Sequence, residues 1–492
     1  MVSLLLVLLL IVDCSGFLLP KSKTSSSFKL LSSAIDQSFI ESEIQSDGIF
    51  IKGKHKWLGG AVDSEGRIYG IPSNAKEVIC LAPPSPSSRE QTSEYEMHTI
   101  PLPHDIAEGQ FKWLRGIIAS GYLYGIPAWS RDGILRVDIA SYWKDKECNS
   151  LEEDLTSYAT VVPLPENALD NGASRWLWHG ASLNQNQTAI YAIPSNAHHV
   201  LKLDLATQET SLLDIPTDKS KTTLELTNKW YGGILGDDNC IFGVPYAASG
   251  VLKIDANTDT VEIIGEDRDG EGDDTLSKCD VNEYNFHGGI FSKRNGKIYC
   301  FPAHHSHVLT INTRFEDGDS HARKNRLDLL PIHRAPYDKD EVTRYKWLGG
   351  SIGIDGNIYG MPSDASSILF IDTKENTAST FGQVSSEKNK YQGGTLADDG
   401  FIYAICSNAN NILCIDSNPS EKNDEDEHII SFKEAEDAFT IGDIYAITGT
   451  KRKDKWQGGF VGNDGSIYCI PENFNRIMKV IPNGEQSEIS FL

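Results

Sequence analysis

Arg115, His179 and His287 stand out because each interrupts a pattern. The 492-residue chain repeats a short stretch in which an aromatic residue precedes paired glycines. Arg115 and His179 each stand in place of the first glycine. His287 holds the variable position just ahead of the pair, which other repeats give to Trp178, Tyr231, Gln392 and Gln457. A guanidinium and two imidazoles converging beside aromatic rings would bind an anion or polarise a carbonyl. Arg115, His179 and His287 are therefore the catalytic candidates, and the four variable-position residues, with His304, the ligand-binding ones. The competing structural reading makes each histidine a satisfied residue between repeats and Arg115 one half of a salt bridge.

Metal-binding types are present as well. His304-His305-Ser306-His307 lies in the loop that follows an Ile-Tyr-x-x-Pro stretch, and Asp267, Asp269 and their acidic neighbours up to Asp274 look superficially like a calcium loop. His304, His307, Asp267 and Asp269 are the candidate ligands for a divalent ion, calcium or magnesium. The acidic loop lacks the EF-hand spacing, with glycine at its sixth and glutamate at its twelfth position, so a solvated loop is the plainer reading. No nucleophile elbow, phosphate loop or His-Glu-x-x-His occurs.

The elements that must position these residues are the repeats. Aligned on the second glycine they fall at Gly60, Gly116, Gly180, Gly233, Gly289, Gly350, Gly394 and Gly459. Each reads as aromatic-x-Gly-Gly and an apolar run, then a turn such as Asp63-Ser-Glu-Gly66 or Asn463-Asp-Gly465. Next come Ile-Tyr-Gly-Ile-Pro or a variant, a polar Ser-Asn-Ala loop, and an Ile-Leu-x-Ile-Asp run. Tight Asp/Asn/Gly turns between short apolar runs mark hairpins. Four short strands per repeat, with no helical pattern between them, cannot bury both faces alone, and radial stacking solves this. The fold expected is all-β, a β-propeller of eight four-stranded blades, or seven if one repeat is a decoration. The charged insertions, including Tyr142–Tyr158, read as surface loops. A cation precedes the aromatic in seven of the eight repeats (Lys56, Lys112, Arg175, Lys229, Lys346, Lys390 and Lys455). It forms either an anion funnel or a set of ion pairs with the aspartates that end the third strands, such as Asp204 and Asp372.

The Gly…Asp-x-Gly-x-Ile-Tyr…Ile-Asp pattern resembles the propellers of the NHL, SMP-30 and streptogramin-lyase type over nearly all of the chain after its leader. The Gly-Gly and following Tyr are similar, less closely, to kelch repeats. No kelch-type copper site is carried over, because the tryptophan here precedes the glycines. The resemblance implies a fold, and propellers host lyases, lactonases and pure scaffolds alike.

Net charge is −24, from 45 basic and 69 acidic residues, which disfavours nucleic acid as a partner. Residues 1–16 read as a signal peptide, and 17–47 as a transit-peptide-like segment or a disordered linker. Residues 48–492 read as one propeller domain. The leader sends the chain into the secretory pathway, with a plastid (by an algal bipartite presequence) or the exterior as its destination. No later segment is apolar for long enough to span a membrane. The function expected is recognition of a protein, glycan or small ligand at one face. The alternative is an enzyme of the lactonase, esterase or lyase kind acting on a small ester, lactone or sugar acid at the axial mouth.

Overall fold

The computed structural model describes residues 51–84, 95–216, 225–265, 275–276, 283–314, 326–335, 344–419 and 437–492. The leader and the Asp267 and Asp269 candidates lie outside these residues. Most modules open with a hairpin built on an Asx turn. Asp63 Oδ1 accepts from the Glu65 and Arg67 amides, and its other oxygen accepts from the Tyr69 hydroxyl at 3.0 Å. Asp355–Tyr359, Asp399–Tyr403 and Asp464–Tyr468 repeat that bond. The recurring Asp and Tyr are thus one device, a turn tied to the strand that leaves it.

The hairpins assemble into sequential antiparallel sheets. Six sheets have four strands; a seventh has eight, formed where two four-stranded units meet through the short parallel pairing of Ile332 and His333 with Ala378 and Ser379. Among the described residues this makes eight four-stranded modules, numbered one to eight in chain order. Their first strands are Trp57–Val62, Trp113–Ala119, Trp178–Leu183, Trp230–Leu235, Phe286–Ser292, Trp347–Ile352, Tyr391–Leu396 and Trp456–Val461. Each of these touches the next, and the last touches the first, so the modules close a ring. The chain is all-β in plan, with the architecture of a β-propeller.

Tryptophan fills the wedge between modules. Trp57, Trp113, Trp178, Trp230, Trp347 and Trp456 are among the largest fully buried side chains. Each indole N–H donates to a carbonyl at the start of its module's third strand: 2.9 Å to Glu77 from Trp57, 2.7 Å to Gly250 from Trp230. The preceding lysines neither line a funnel nor pair with the third-strand aspartates, which corrects both expectations. Lys229 is fully buried and donates to the Ser195 carbonyl at 2.8 Å; Lys56 donates to Glu472 and Phe474, and Lys455 to Ser407 and Ala409. Burial pulls the Lys229 ammonium down to about 7, while the carbonyls it serves favour the charge. The aspartates bind their own turns instead, as Asp204 does with the Ala206 and Thr207 amides.

A second clamp joins modules across the loop face. The residue before the lysine is left-handed in seven modules, from His55 (φ 49) to Asp454 (φ 53). This turns its amide toward the previous module, where an Asn or Asp side chain accepts it: Phe111 to Asn74, Asn228 to Asn196, Asn389 to Asp364, Asp454 to Asn408. The ring closes the same way, His55 N–H donating to Asn473 Oδ1 at 2.7 Å. Among the described residues no strand crosses that seam: module one is built from 57–101 and module eight from 456–491.

Two departures concern the insertions and the seam. Ile139–Glu147, within the stretch expected to begin a loop at Tyr142, is a helix capped by Asp138. It buries Tyr142 and Trp143, and the Trp143 indole donates to the Tyr69 hydroxyl at 2.8 Å. Nine residues of mixed polarity carry too little periodicity to announce themselves. At the seam, Glu472 replaces the serine usual after the strand-ending proline and meets His55 Nδ1 at 2.6 Å. Burial, then the Glu472 charge, pushes the nearby Asp454 carboxyl up to about 6. A raised acid binds its proton more tightly in the native state, so stability falls as pH rises from about 4 to about 6. Asp454→Asn should remove that slope and leave the protein about 1–2 kcal/mol more stable at neutral pH. Parallel urea titrations of the two proteins at several pH values check this; identical slopes would contradict it.

Candidate functional site

The first strand of each module carries a bulge at its glycines. In module one Trp57 pairs with Pro72 and Gly60 with Gly70, three steps against two. The bulged residue takes a left-handed backbone and lies next to the axis. In module three Trp178 pairs with Pro194 and Ala181 with Ala192, which makes Gly180, at φ 94, the bulged residue. The alignment of that repeat therefore shifts by one. His179 does not replace a glycine but holds the variable position, equivalent to Leu58, Tyr231 and His287. Trp178 is the wedge tryptophan, fully buried with its indole on the His199 carbonyl, and is not a ligand-facing residue. Leu177 takes the lysine position. Arg175 lies instead over the Trp129 ring, 4.6 Å from its centroid.

The corrected register explains why the candidates converge. The variable positions of modules three, four and five are adjacent around the axis. His179 stacks on Tyr231 at 3.8 Å and 7°, and Tyr231 on Tyr246 at 4.1 Å and 14°. Tyr246 stacks in turn on Tyr284 at 4.3 Å and 3°. His287 meets this column edge-on, 5.3 Å from Tyr231 and 6.5 Å from His179. Each such pair adds about 0.5–1.5 kcal/mol beyond its buried area. His304 joins the far end, T-shaped to Tyr345 at 4.6 Å, with Nδ1 at 2.9 Å from Glu283. His307 engages Ser306 through Nδ1, 2.8 Å from its hydroxyl. Among the described residues no group of three His, Cys, Asp or Glu is placed to hold a metal ion. Gln457 Nε2 donates to Gln392 Oε1 at 3.3 Å, in modules eight and seven.

Arg115 is the bulged residue of module two, with φ 63, a conformation costing an L-residue about 1–2 kcal/mol. Its backbone nearly touches Gly59: a Cβ on Gly59 would lie 3.2 Å from Arg115 Cα. The side chain is surrounded by protein yet open to solvent, the setting of a channel wall. Burial, then the Arg115 charge, then His287, holds His179 well below the usual imidazole range. His287 is lowered to about 3, chiefly by burial and further by Arg115. Both imidazoles are therefore neutral at physiological pH. His179 Nδ1 is buried with no hydrogen-bond partner among the described residues.

Sequence reasoning missed Tyr246, Tyr284 and Tyr345. The signal lay in two further columns. Tyr246 stands after the strand-ending proline, where four modules have serine (Ser73, Ser195, Ser363 and Ser407). Tyr284 and Tyr345 stand just before the lysine position, the clamp column. Where the Asn clamp is lost, rings take over: Trp129 against Trp176 (5.7 Å, 80°) and His304 against Tyr345.

No family model matches the chain, and no curated protein does. Solved structures similar to it include a streptogramin B lyase, 16% identical, covering 73% of this chain and 93% of its own, with a TM-score of 0.44. A virginiamycin B lyase from Staphylococcus aureus is 12% identical over 73% of this chain and 94% of its own, also at 0.44. A 6-phosphogluconolactonase-like protein from Bacteroides uniformis is 11% identical over 75% and 90%, at 0.41. No activity passes from them to this chain at such distances. Among the described residues no helix is long and apolar enough to cross a membrane.

Proposed function

We propose that the chain is an eight-bladed propeller that binds a small ligand at the axial mouth of its loop face. The observation that carries this is the convergence of His179, Tyr231, Tyr246, Tyr284, His287 and Arg115 on one sector. Arg115 and Tyr246 depart from columns that are otherwise glycine and mostly serine, and His179, Tyr231 and His287 fill the one position that varies from module to module; repeated residues build architecture while a site needs asymmetry. His179, His287 and Arg115 keep some exposure in front of the buried Tyr231 and Tyr246, and a few polar groups backed by aromatic rings suit a small organic molecule. Tyr246→Ser restores the residue that serves modules one, three, six and seven, so the fold should survive while the ring column loses its centre. A thermal-shift screen with small acids and sugars should give compounds that raise the melting temperature of the wild type and lose most of that effect in Tyr246→Ser. Equal shifts in both proteins would place the ligand elsewhere.

One observation favours an enzyme as the second reading. Glu472 holds His55 Nδ1 at 2.6 Å, and His55 Nε2 makes no hydrogen bond to a described residue, which is the arrangement of an oriented general base. It lies at the seam, against Phe111 (5.1 Å) and on the same loop face.

A further inference from the structure

We propose that the axial site takes a small oxyanion, a carboxylate or a phosphate, and that Arg115 is the residue that holds it. This rests on the binding reading above and names its ligand class. The position itself argues for it. In the other seven modules the bulged residue is a glycine with φ between 70 and 100; Arg115 is the one with a side chain. Packing does not demand it, since seven equivalents do without, and the backbone is strained by it. Strain kept at one position of a repeat points to a task at that position.

The second argument is what the guanidinium lacks. Among the described residues Arg115 makes no hydrogen bond and no ion pair. Other arginines here are engaged: Arg67 with Asp63, Arg314 with Asp237, Arg326 with Asp238. In a chain of net charge −24, carboxylates to pair with are plentiful, yet among the described residues none is set against this arginine. A guanidinium stays charged, and its planar fork matches the two oxygens of a carboxylate or phosphate.

The surroundings sharpen the selection. Burial holds His179 and His287 neutral, so among the described residues Arg115 is the cation that acts on both, in a partly desolvated setting. Tyr231 covers one face of His179, which makes the imidazole the end ring of the column on the side of module two. A flat body lying there would bring its anionic group to Arg115, while His179 Nδ1 lacks a partner. Because burial holds both imidazoles below their usual range, carboxylate affinity should be flat around neutral pH, whereas phosphate changes its own charge there.

The test uses Arg115→Gly, which installs the residue of the seven other modules and is expected to melt no lower than the wild type. Benzoate, its neutral counterpart benzamide, and inorganic phosphate are titrated calorimetrically into both proteins, with the imidazole resonances of His179 and His287 followed by NMR. The wild type should bind benzoate at least about tenfold more tightly than benzamide, and Arg115→Gly should abolish that preference. Phosphate that displaces benzoate supports a general oxyanion site; phosphate that does not narrows the same site to carboxylates. Equal affinity for benzoate and benzamide, or full benzoate affinity in Arg115→Gly, would overturn the oxyanion assignment. If such binding still moves the imidazole resonances, the axial-site reading survives that failure. Absence of binding by all three probes would overturn both.

Discussion

Gly60→Val should destabilise the protein by about 3 kcal/mol or more, enough to prevent folding at physiological temperature. A Cβ at Gly60 would lie 2.3 Å from the Tyr69 carbonyl oxygen and 2.9 Å from Phe460 Cζ. The first contact is with the backbone of the neighbouring strand, so no rotamer relieves it. Gly350 is placed alike, 2.3 Å from the Tyr359 oxygen. The first glycine of each pair answers to a different demand. Gly288, at φ 70, has nothing within 4 Å of its Cβ position, so Gly288→Ala should cost only the left-handed backbone, about 1 kcal/mol. Gly59 and Gly180 are also crowded by the next module's backbone, but in modules five and seven the pair divides its work: the second position is closed by space and the first, Gly288 or Gly393, by conformation alone. That is why a side chain at Arg115 is tolerated. Urea unfolding of the two variants would show the difference, and equal, small losses would contradict the placement of Gly60 against the second strand.

Lys229→Ala should cost about 3 kcal/mol, the sum of a cavity in a closed interface and a carbonyl left without its donor. Lys229 is fully buried and spans from its own module to the Ser195 loop of the previous one. Lys229→Met keeps most of the volume and should lose about half as much. Were the lysines an anion funnel, these substitutions would weaken anion binding and its salt dependence while leaving the melting temperature alone. Thermal denaturation therefore separates the readings, and an unchanged melting temperature in Lys229→Ala would revive the funnel.

Much of the architecture was legible because it repeats. The Gly pair, present in six of the eight repeats, and the recurring Asp/Asn/Gly turn followed by Tyr or Phe mark the strand order, and the wedge role of the aromatics follows from their recurrence. The reading slipped where a single residue decides register. In module three His179-Gly180 looks like a Gly-Gly pair missing its first member, and only strand pairing shows that Gly180 is the bulge. The lysines were misassigned for a different reason: charge suggests carboxylate partners, whereas a buried ammonium can be satisfied by backbone carbonyls that sequence does not display. The helix at Ile139–Glu147 is fixed by Asp138 and by burial of Tyr142 and Trp143, long-range terms a local pattern does not carry. For the site, Arg115 is visible as a break, and Tyr231 and His287 as occupants of the variable position; His179 is picked out by a register the structure shifts by one. Tyr246 and Tyr284 are not, because they stand in loop columns of mixed residue type, and only the ring stacking shows that they meet.

The central claim is that repetition builds the ring and the exceptions bind the ligand. A crystal structure of the wild type with the tightest-binding compound tests it most directly. The account predicts the ligand against His179 with its anionic group within hydrogen-bond distance of Arg115. A ligand seated on the outer strands, or at the loop face away from Arg115 and the Tyr231–Tyr246 column, would contradict it.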